Sequence, residues 1–192
     1  SIRGSTADDI SHLYSLSRPL QANETIDFFL SHSWHDDAEM KMQKMTEVAT
    51  DFHRKHSRYP TFWIDKACID QSRISDCLKV LPVNIMACSH VLVLCGSTYP
   101  ERLWCAWELF VLFSFAEQSH AARRAILLPL QGDPEAIREA IRGLVEFDAR
   151  ACHCYDPNEE RRLRKVIKVV GLREFNRRIC LWAAELSDRF VG

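Results

Sequence analysis

One carboxylate in this sequence, Glu108, lies past the first turn of a predicted helix among apolar residues, where only chemistry or a buried ion pair would explain it. Glu108 belongs to the run Tyr99–Leu109, whose sequence is YPERLWCAWEL. Pro100 suits the first turn of a helix and no other helix breaker follows nearby, so we predict a helix over about 100–118. This helix carries apolar residues on every face and is therefore predicted to be buried. A carboxylate is rarely placed in such a wall unless it is paired or used.

Two interpretations of Glu108 stay open at this point. An arginine such as Arg102 could neutralise the carboxylate as a structural ion pair. Alternatively, the carboxylate acts on a ligand, and Trp104 lies one helical turn before it on the same face. The sequence alone therefore makes Glu108 a candidate catalytic residue with a structural alternative.

Composition and charge exclude several classes of protein. The chain has 192 residues, of which 47% are hydrophobic and 27% charged, and this describes one well-buried globular domain. The formal net charge of -1 argues against nucleic-acid or membrane-surface binding as the main role. No apolar run is long enough to cross a bilayer, and the N-terminus does not resemble a signal peptide. The cysteines lie mostly within predicted strands and helices, as free thiols of a reducing compartment do, so we predict a cytoplasmic protein.

Two groups of possible metal ligands lack the spacing of a metal site. The Cys-His-Cys run at 152–154 has no second Cys or His pair at zinc-ligand distance in the sequence. His32 and His35 have no evident third ligand. A Ser–His nucleophile at Ser31 or Ser33 is disfavoured because adjacent residues of an extended chain point apart. We therefore predict no metal.

Short apolar strands alternate with amphipathic helices along the chain. The predicted strands are Thr25–Ser31, Tyr59–Ile64, Ser89–Cys95, Ala125–Leu130 and a short fifth segment within Val145–Tyr155. Such alternation is typical of parallel strands joined by right-handed crossovers. We therefore predict an α/β, flavodoxin-like three-layer fold with a five-stranded parallel sheet, helices on both faces and an extra C-terminal helix.

The chain is predicted to divide into three parts. These are an N-terminal extension at 1–24, the α/β domain at 25–170, and a C-terminal helix at 171–192 that packs on the domain. The first helix of the domain has apolar residues repeating every three or four positions, which predicts its core-facing stripe. That stripe consists of Ala38, Met42, Met45, Ala49 and Phe52.

The predicted fold brings three unusual stretches to one crevice. In open parallel sheets, ligands bind beyond the carboxyl ends of the strands, where the winding direction of the chain reverses. The first and third strands end at 31–34 and 95–97, and the loop 65–73 follows the neighbouring strand. The chain has no Gly-rich phosphate loop of the dinucleotide or triphosphate type, so a conventional phosphate cradle is not supported.

Four ordered motifs resemble those of TIR domains. Ile26–Ser33 is similar to their first box, Phe62–Ser72 to their second strand and BB loop, and His90–Cys95 to their third strand. Trp104–Leu109 is similar to the Trp-Cys-x-x-Glu-Leu segment of plant and related TIR domains. The match covers roughly 25–118 well and the remaining residues only by the spacing of helices and strands.

The resemblance implies a self-associating domain. In the enzymatic branch of the family, such a domain cleaves NAD+ at the nicotinamide–ribose bond to give nicotinamide and ADP-ribose or cyclic ADP-ribose. The resemblance places the catalytic carboxylate at Glu108, with NAD+ as substrate and no separate cofactor. The implied partners are further TIR domains in immune signalling. The predicted substrate contacts are Ser31, His32, Ser33, Trp34, Asp70 and Trp104.

Several alternatives accompany this prediction. The domain could be a non-catalytic TIR-type assembly module, with Glu108 paired to an arginine. It could also be a nucleoside deoxyribosyltransferase-like enzyme, which shares the fold type and a catalytic carboxylate. Trp34 could pack in the core or contact a ligand. The chain departs from the family at Ser72, which stands about where the BB-loop glycine would fall, and at the Ser33-Trp34 pair, which replaces an arginine often found there.

Overall fold

The computed structural model of the protein describes residues 14–69, 74–115 and 117–191. Asp70 and Ser72, which belong to the predicted loop 65–73, lie outside this part of the chain. Most of the predicted N-terminal extension lies outside it as well. In the described ranges, no helix is long and apolar enough to cross a membrane.

Strands and helices alternate along the described chain. The strands are β1 (Ile26–His32), β2 (Phe62–Trp63), β3 (Cys88–Cys95) and β4 (Ala125–Pro129). The helices are α1 (Ala38–His56), α2 (Asp65–Cys68), α3 (Ile74–Ala87), α4 (Leu103–Phe115), α5 (Gln118–Arg124), α6 (Pro134–Val145), α7 (Pro157–Val170) and α8 (Leu172–Val191), and a 3-10 helix spans Tyr99–Glu101.

The described strands form one parallel sheet in the order β2-β1-β3-β4. Ser31 of β1 lies opposite Val93 of β3, and Phe29 lies opposite Trp63 of β2. The winding direction therefore reverses between β1 and β3, as the flavodoxin-like prediction requires. The predicted α/β class and parallel sheet are confirmed, with four strands found in place of the predicted five.

Helices cover both faces of the sheet because neighbouring residues of each strand point to opposite sides. On one face, Phe28 and Leu30 of β1 pack with Leu92 and Leu94 of β3 beneath α1. The other face carries the larger core. It includes Phe29, Val91, Val93, Leu109, Leu112, Phe175 and Ile179. Four apolar side chains of α8, Phe175, Ile179, Trp182 and Leu186, are buried.

The predicted fifth strand is replaced by turns in the described residues. Within 146–155, the one strand-like contact is an isolated parallel bridge between Arg102 and His153. The backbone groups of this segment bond locally, for example from Ala151 N to Asp148 O. The Arg164 guanidinium donates hydrogen bonds to two further carbonyl groups of the segment, those of Ala149 and Cys152. These bonds satisfy the peptide groups that a strand would have offered to β4.

The predicted helix over 100–118 is interrupted at its beginning. Arg102 has an extended backbone, with φ of -97° and ψ of 110°, and separates the 3-10 helix from α4. The interruption follows from the bridge to His153, because Leu103 N donates to His153 O and His153 N donates to Glu101 O. Helix α4 ends at Phe115, and α5 begins separately at Gln118.

The predicted apolar stripe of α1 is wrong in its first half. Met42 is 63% exposed, whereas Met40, Met45, Val48 and Phe52 pack on the sheet. Lys41 is buried instead, with its ammonium donating to the carbonyl oxygen of Ser33 at 2.8 Å. A stripe that begins at Lys41 has the same spacing as the predicted one, so periodicity alone could not choose between them.

Candidate active site at the carboxyl ends of β1 and β3

The crevice lies where β1 and β3 end side by side. The loop 33–37 leaves β1, and the segment 96–98 leaves β3 and leads through the 3-10 helix into α4. Helix α4 passes close to the end of β1, since Cys105 Sγ donates to His32 O at 3.3 Å. The side chains of one α4 turn therefore face the last residues of β1.

Glu108 is held at this junction by two neutral donors. Its side chain is only 2% exposed. Ser31 Oγ donates to Glu108 Oε2 at 2.6 Å, and Trp104 Nε1 donates to Glu108 Oε1 at 2.9 Å. Trp104 can reach the carboxylate because residues four positions apart on a helix share one face. Three residues of the predicted site, Ser31, Trp104 and Glu108, are therefore in contact with one another through the carboxylate.

The structural alternative for Glu108 was an ion pair with an arginine. Among the ion pairs of the described residues, none involves Glu108. Arg102, the suggested partner, lies in the bridge that precedes α4. The carboxylate is therefore buried against hydroxyl and indole donors in place of a cation, and this is an unusual and costly arrangement for a carboxylate.

A third polar residue completes a hydrogen-bonded chain to Glu108. The hydroxyl of Tyr99, which is fully buried, lies 2.7 Å from Ser31 Oγ. An ionised Glu108 accepts from both Ser31 and Trp104, and Ser31 then accepts from Tyr99, so every polar hydrogen has an acceptor. A protonated Glu108 adds a fourth hydrogen to three hydrogen bonds and leaves one unpaired. The chain of donors thus favours the ionised carboxylate.

Burial acts in the opposite direction. Removal from water raises the pKa of Glu108 well above the ordinary value of 4.5, and the negative charge of Asp65 raises it further. The hydrogen bonds from Ser31 and Trp104 lower the pKa but do not outweigh burial. Glu108 is therefore a carboxyl group whose ionisation depends on what enters its surroundings, which is a common property of functional groups.

Charged side chains surround Trp34 at the mouth of the crevice. The indole is 41% exposed, and its Nε1 donates to Asp65 Oδ2 at 3.1 Å. The Lys66 ammonium stands 3.9 Å from the centroid of the ring, and the Lys41 ammonium stands 5.6 Å from it. Of the two interpretations of Trp34, exposure therefore excludes simple core packing.

His32 lies under Trp34 and has no polar partner for its ring within the described residues. The imidazole meets the indole edge-on, with 4.2 Å between ring centroids. Both ring nitrogens are buried without a hydrogen-bond partner. Burial lowers the pKa of His32, so the imidazole is neutral and offers one donor and one acceptor.

Ser33 belongs to a polar seam that joins the two loops. Its Oγ lies 2.7 Å from Thr98 Oγ1, and Asp36 Oδ1 accepts from the Thr98 amide at 3.0 Å and from its hydroxyl at 2.7 Å. A Cβ at Gly96 would fall 2.4 Å from Asp36 Cγ, so the seam needs a glycine there. The Ser33 hydroxyl therefore joins the two loops by hydrogen bonds. Its contact with a substrate stays a prediction.

The described residues place six of the predicted site residues on β1, on the loop after it and on α4. Ser31 and Trp104 contact Glu108, and His32 contacts Trp34. Asp70 lies outside the described ranges. No group of three or more His, Cys, Asp or Glu residues suited to a metal ion occurs within those ranges.

Sequence reasoning missed six residues of this region. These are Tyr99, Lys41, Asp65, Lys66, Asp36 and Thr98. Tyr99 carried a usable signal, because it opens the segment that contains Glu108. The contacts of the remaining five depend on how the strands and loops meet in space, and neither periodicity nor local spacing indicates such contacts.

Two cavities lie away from Glu108. One of about 550 Å³ is lined by Glu101, Glu139, Arg142 and other residues between the 3-10 helix and α6. The other, of about 220 Å³, is lined by Phe113, Trp182 and neighbouring residues between α4 and α8. Neither of these two cavities is lined by a residue that contacts Glu108.

Fold and site together define a class, namely parallel α/β domains with a buried carboxylate at the carboxyl edge of the sheet. The chain matches no family model and no curated protein. Among solved structures, it is similar to the TIR domains in the structure of the activated Roq1 resistosome directly recognizing the pathogen effector XopQ. The two chains are 18% identical, with 83% of this chain and 84% of that chain covered and a TM-score of 0.43. A similarity of this size does not assign the chain to a family.

Proposed function

We propose that this domain is an NAD+ glycohydrolase that cleaves the nicotinamide–ribose bond, with Glu108 as its catalytic residue. The observation that carries the proposal is the position of Glu108, which is buried between Ser31 and Trp104 and makes no ion pair with the described residues. The sequence resemblance at Trp104–Leu109 supports the same role, because the carboxylate of that motif acts in the enzymatic TIR branch.

The proposed reaction suits a single carboxylate. The C–N bond to ribose breaks with its electron pair leaving on nicotinamide, so the cationic ring departs as a neutral molecule and needs no general acid. An oxocarbenium-like centre develops on the ribose, and an ionised carboxylate beside it stabilises that charge in a water-poor site. Water then adds to the sugar carbon and releases a proton, giving ADP-ribose, whereas capture by an adenine nitrogen gives the cyclic product.

A cationic substrate also removes the conflict over the charge of Glu108. Burial alone raises the pKa of Glu108, whereas a positive ring placed nearby favours the ionised form. The chain from Tyr99 through Ser31 then keeps the ionised carboxylate fully hydrogen-bonded. Binding and ionisation would therefore support one another.

The other predicted contacts take roles consistent with their positions. Trp34 is exposed and offers a ring face at the mouth of the crevice. His32 has two ring nitrogens without a partner in the described residues. Asp70 stays a proposed contact from the loop that follows α2. Activation by self-association with like domains, and a cytoplasmic location, belong to the same proposal.

A non-catalytic TIR-type assembly module is the second candidate function. One observation favours it, because a Glu108 side chain that is 2% exposed offers no oxygen to a substrate in this conformation. In that case, the bonds from Ser31 and Trp104 would only fasten α4 to β1. Self-association would then occur without any change in NAD+.

The deciding experiment incubates concentrated protein with NAD+ and a crowding agent, and follows nicotinamide release by chromatography. Glu108→Gln keeps the size of the side chain and removes its charge. Glu139→Gln makes the same change at an exposed position and is the matched control. Release by the native chain and by Glu139→Gln, but not by folded Glu108→Gln, supports the proposal. No release from folded and assembled native protein supports the assembly module, and cleavage of free nucleosides in preference to NAD+ would indicate the deoxyribosyltransferase-like alternative.

A further inference from the structure

We propose that Trp34 and Asp65 form a recognition cage for a planar organic cation, and that the Lys66 ammonium is an internal occupant of this cage. The inference rests on the proposed function, in which the planar cation is the pyridinium ring of NAD+. It adds the chemistry by which the ring is recognised and assigns Lys66 as the residue that competes with it.

The contacts of Trp34 define the cage. Lys66 Nζ lies 3.9 Å from the centroid of the indole ring, well within the distance of a cation–π contact. Asp65 Oδ2 accepts the indole N–H at 3.1 Å. A carboxylate on this N–H increases the electron density of the ring, which strengthens its attraction for a cation. The ring is therefore arranged to hold positive charge on its face.

Lys66 is a replaceable occupant because of its hydration. A lysine ammonium is compact and strongly hydrated, and Trp34 is 41% exposed, so water remains available to the ammonium when it leaves the ring. A planar aromatic cation is weakly hydrated, and it adds ring–ring stacking to the cation–π contact. The exchange of an ammonium for a pyridinium on this face is thus favourable for the ligand.

A second observation indicates the kind of planar cation. His32 meets Trp34 edge-on at 4.2 Å between centroids, and both of its buried nitrogens lack a partner among the described residues. A neutral imidazole has a donor at one nitrogen and an acceptor at the other, pointing in different directions, and the amide N–H or the carbonyl oxygen of a carboxamide can pair with one of them. A pyridinium that bears a carboxamide, such as a nicotinamide ring joined to ribose, therefore matches both Trp34 and His32.

The cage and Glu108 both lie at the end of β1. Ser31, which donates to Glu108, and His32, which meets Trp34, are the last two residues of this strand, and their side chains leave it on opposite faces. The charge of Asp65 acts on both neighbours, since it raises the pKa of Glu108 and the pKa of His32. A cation held at Trp34 thus lies at the same end of β1 as the proposed catalytic carboxylate.

The test measures binding, using 1-methylnicotinamide as the cationic probe and nicotinamide as its neutral counterpart. Titrations follow the indole N–H signal of Trp34 by NMR, assigned with Trp34→Phe. We expect saturable binding of 1-methylnicotinamide and at least about fivefold weaker binding of nicotinamide. Trp34→Leu lacks this signal, so isothermal titration calorimetry follows its binding, and this variant should show no preference for the cation. Lys66→Gln should tighten binding of the cation about two- to fivefold, because the internal competitor is removed.

Lys168→Gln is the matched control, since it removes one positive charge from an exposed position on α7. Equal binding of the two probes, or equal affinities in Lys66→Gln and Lys168→Gln, would overturn the proposal. Glu108→Gln separates this inference from the proposed function. If that variant and the native chain bind the cation equally while neither releases nicotinamide from NAD+, the cage stands and the glycohydrolase activity does not.

Discussion

Ser31 donates a hydrogen bond of 2.6 Å to Glu108 and thereby joins the end of β1 to the first turns of α4. Both residues are buried, and they lie on elements that meet only in the folded chain.

Ser31→Ala is expected to lower the free energy of unfolding by about 2 kcal/mol, because it leaves a buried carboxylate oxygen and the Tyr99 hydroxyl without their partner. Urea unfolding at neutral pH measures this. Ser114→Ala is the control, since that hydroxyl bonds only to Phe110 O within its own helix. Similar losses in the two variants would contradict the importance of the Ser31 contact.

Glu108→Gln is expected to become more stable relative to the native chain as the pH rises above about 4.5. Burial raises the pKa of Glu108, so the folded chain keeps a proton that the unfolded chain releases. The stability from this proton is fully present below the unfolded pKa and is lost as the pH rises through the folded pKa, by at most about 1.4 kcal/mol per pH unit. Urea unfolding of both chains between about pH 5 and about pH 8 measures the difference. A difference that stays constant with pH would show that the pKa of Glu108 is not raised.

Tyr99→Phe is expected to cost about 1 kcal/mol of stability and to raise the pKa of Glu108 further. Without the Tyr99 hydroxyl, Ser31 receives no hydrogen bond and becomes a weaker donor to Glu108. Carbon-13 NMR of the Glu108 carboxyl group, titrated in both chains, reports this shift directly. Tyr155→Phe, at an 81% exposed position, should leave the titration unchanged. An unchanged pKa in Tyr99→Phe would mean that Tyr99 contributes packing alone.

Gly96→Ala is expected to lower the free energy of unfolding by about 1–3 kcal/mol. The new Cβ would fall 2.4 Å from Asp36 Cγ, and Asp36 could move only by giving up its two bonds to Thr98. Gly132→Ala is the control, because nothing lies within 4 Å of the added carbon. Thermal unfolding of both variants measures this loss of stability. A loss no larger in Gly96→Ala than in Gly132→Ala would show that Asp36 does not pack tightly against Gly96.

The sequence was sufficient for the parts of the fold that depend on local pattern. The apolar runs around Phe28, Leu92 and Leu127 are strands of one sheet, as their composition predicts. The burial of Glu108 followed from the apolar faces around it. Segment 146–155 could not be predicted in the same way, because side chains from other helices bond to its peptide groups and keep them from pairing as a strand.

The site was predictable where its residues adjoin along the chain and not where they meet in space. Trp104 and Glu108 are one helical turn apart, and their contact follows from helix geometry. The contacts of Tyr99 with Ser31 and of Lys66 with Trp34 depend on the strand order and on loop geometry. The choice between Lys41 and Met42 as a buried residue of α1 likewise depends on the Ser33 carbonyl, which only the folded structure places beneath it.

The bridge between Arg102 and His153 affects the order in which the chain can assemble. Helix α4 begins where Leu103 N donates to His153 O, so its first turn is fixed by a residue that leaves the ribosome much later. A nascent chain that ends before His153 can pair β1 with β3, yet it lacks the bond that fixes the start of the helix carrying Glu108. The backbone bond at the start of the helix that carries Glu108 can therefore form only after residue 153 has been synthesised.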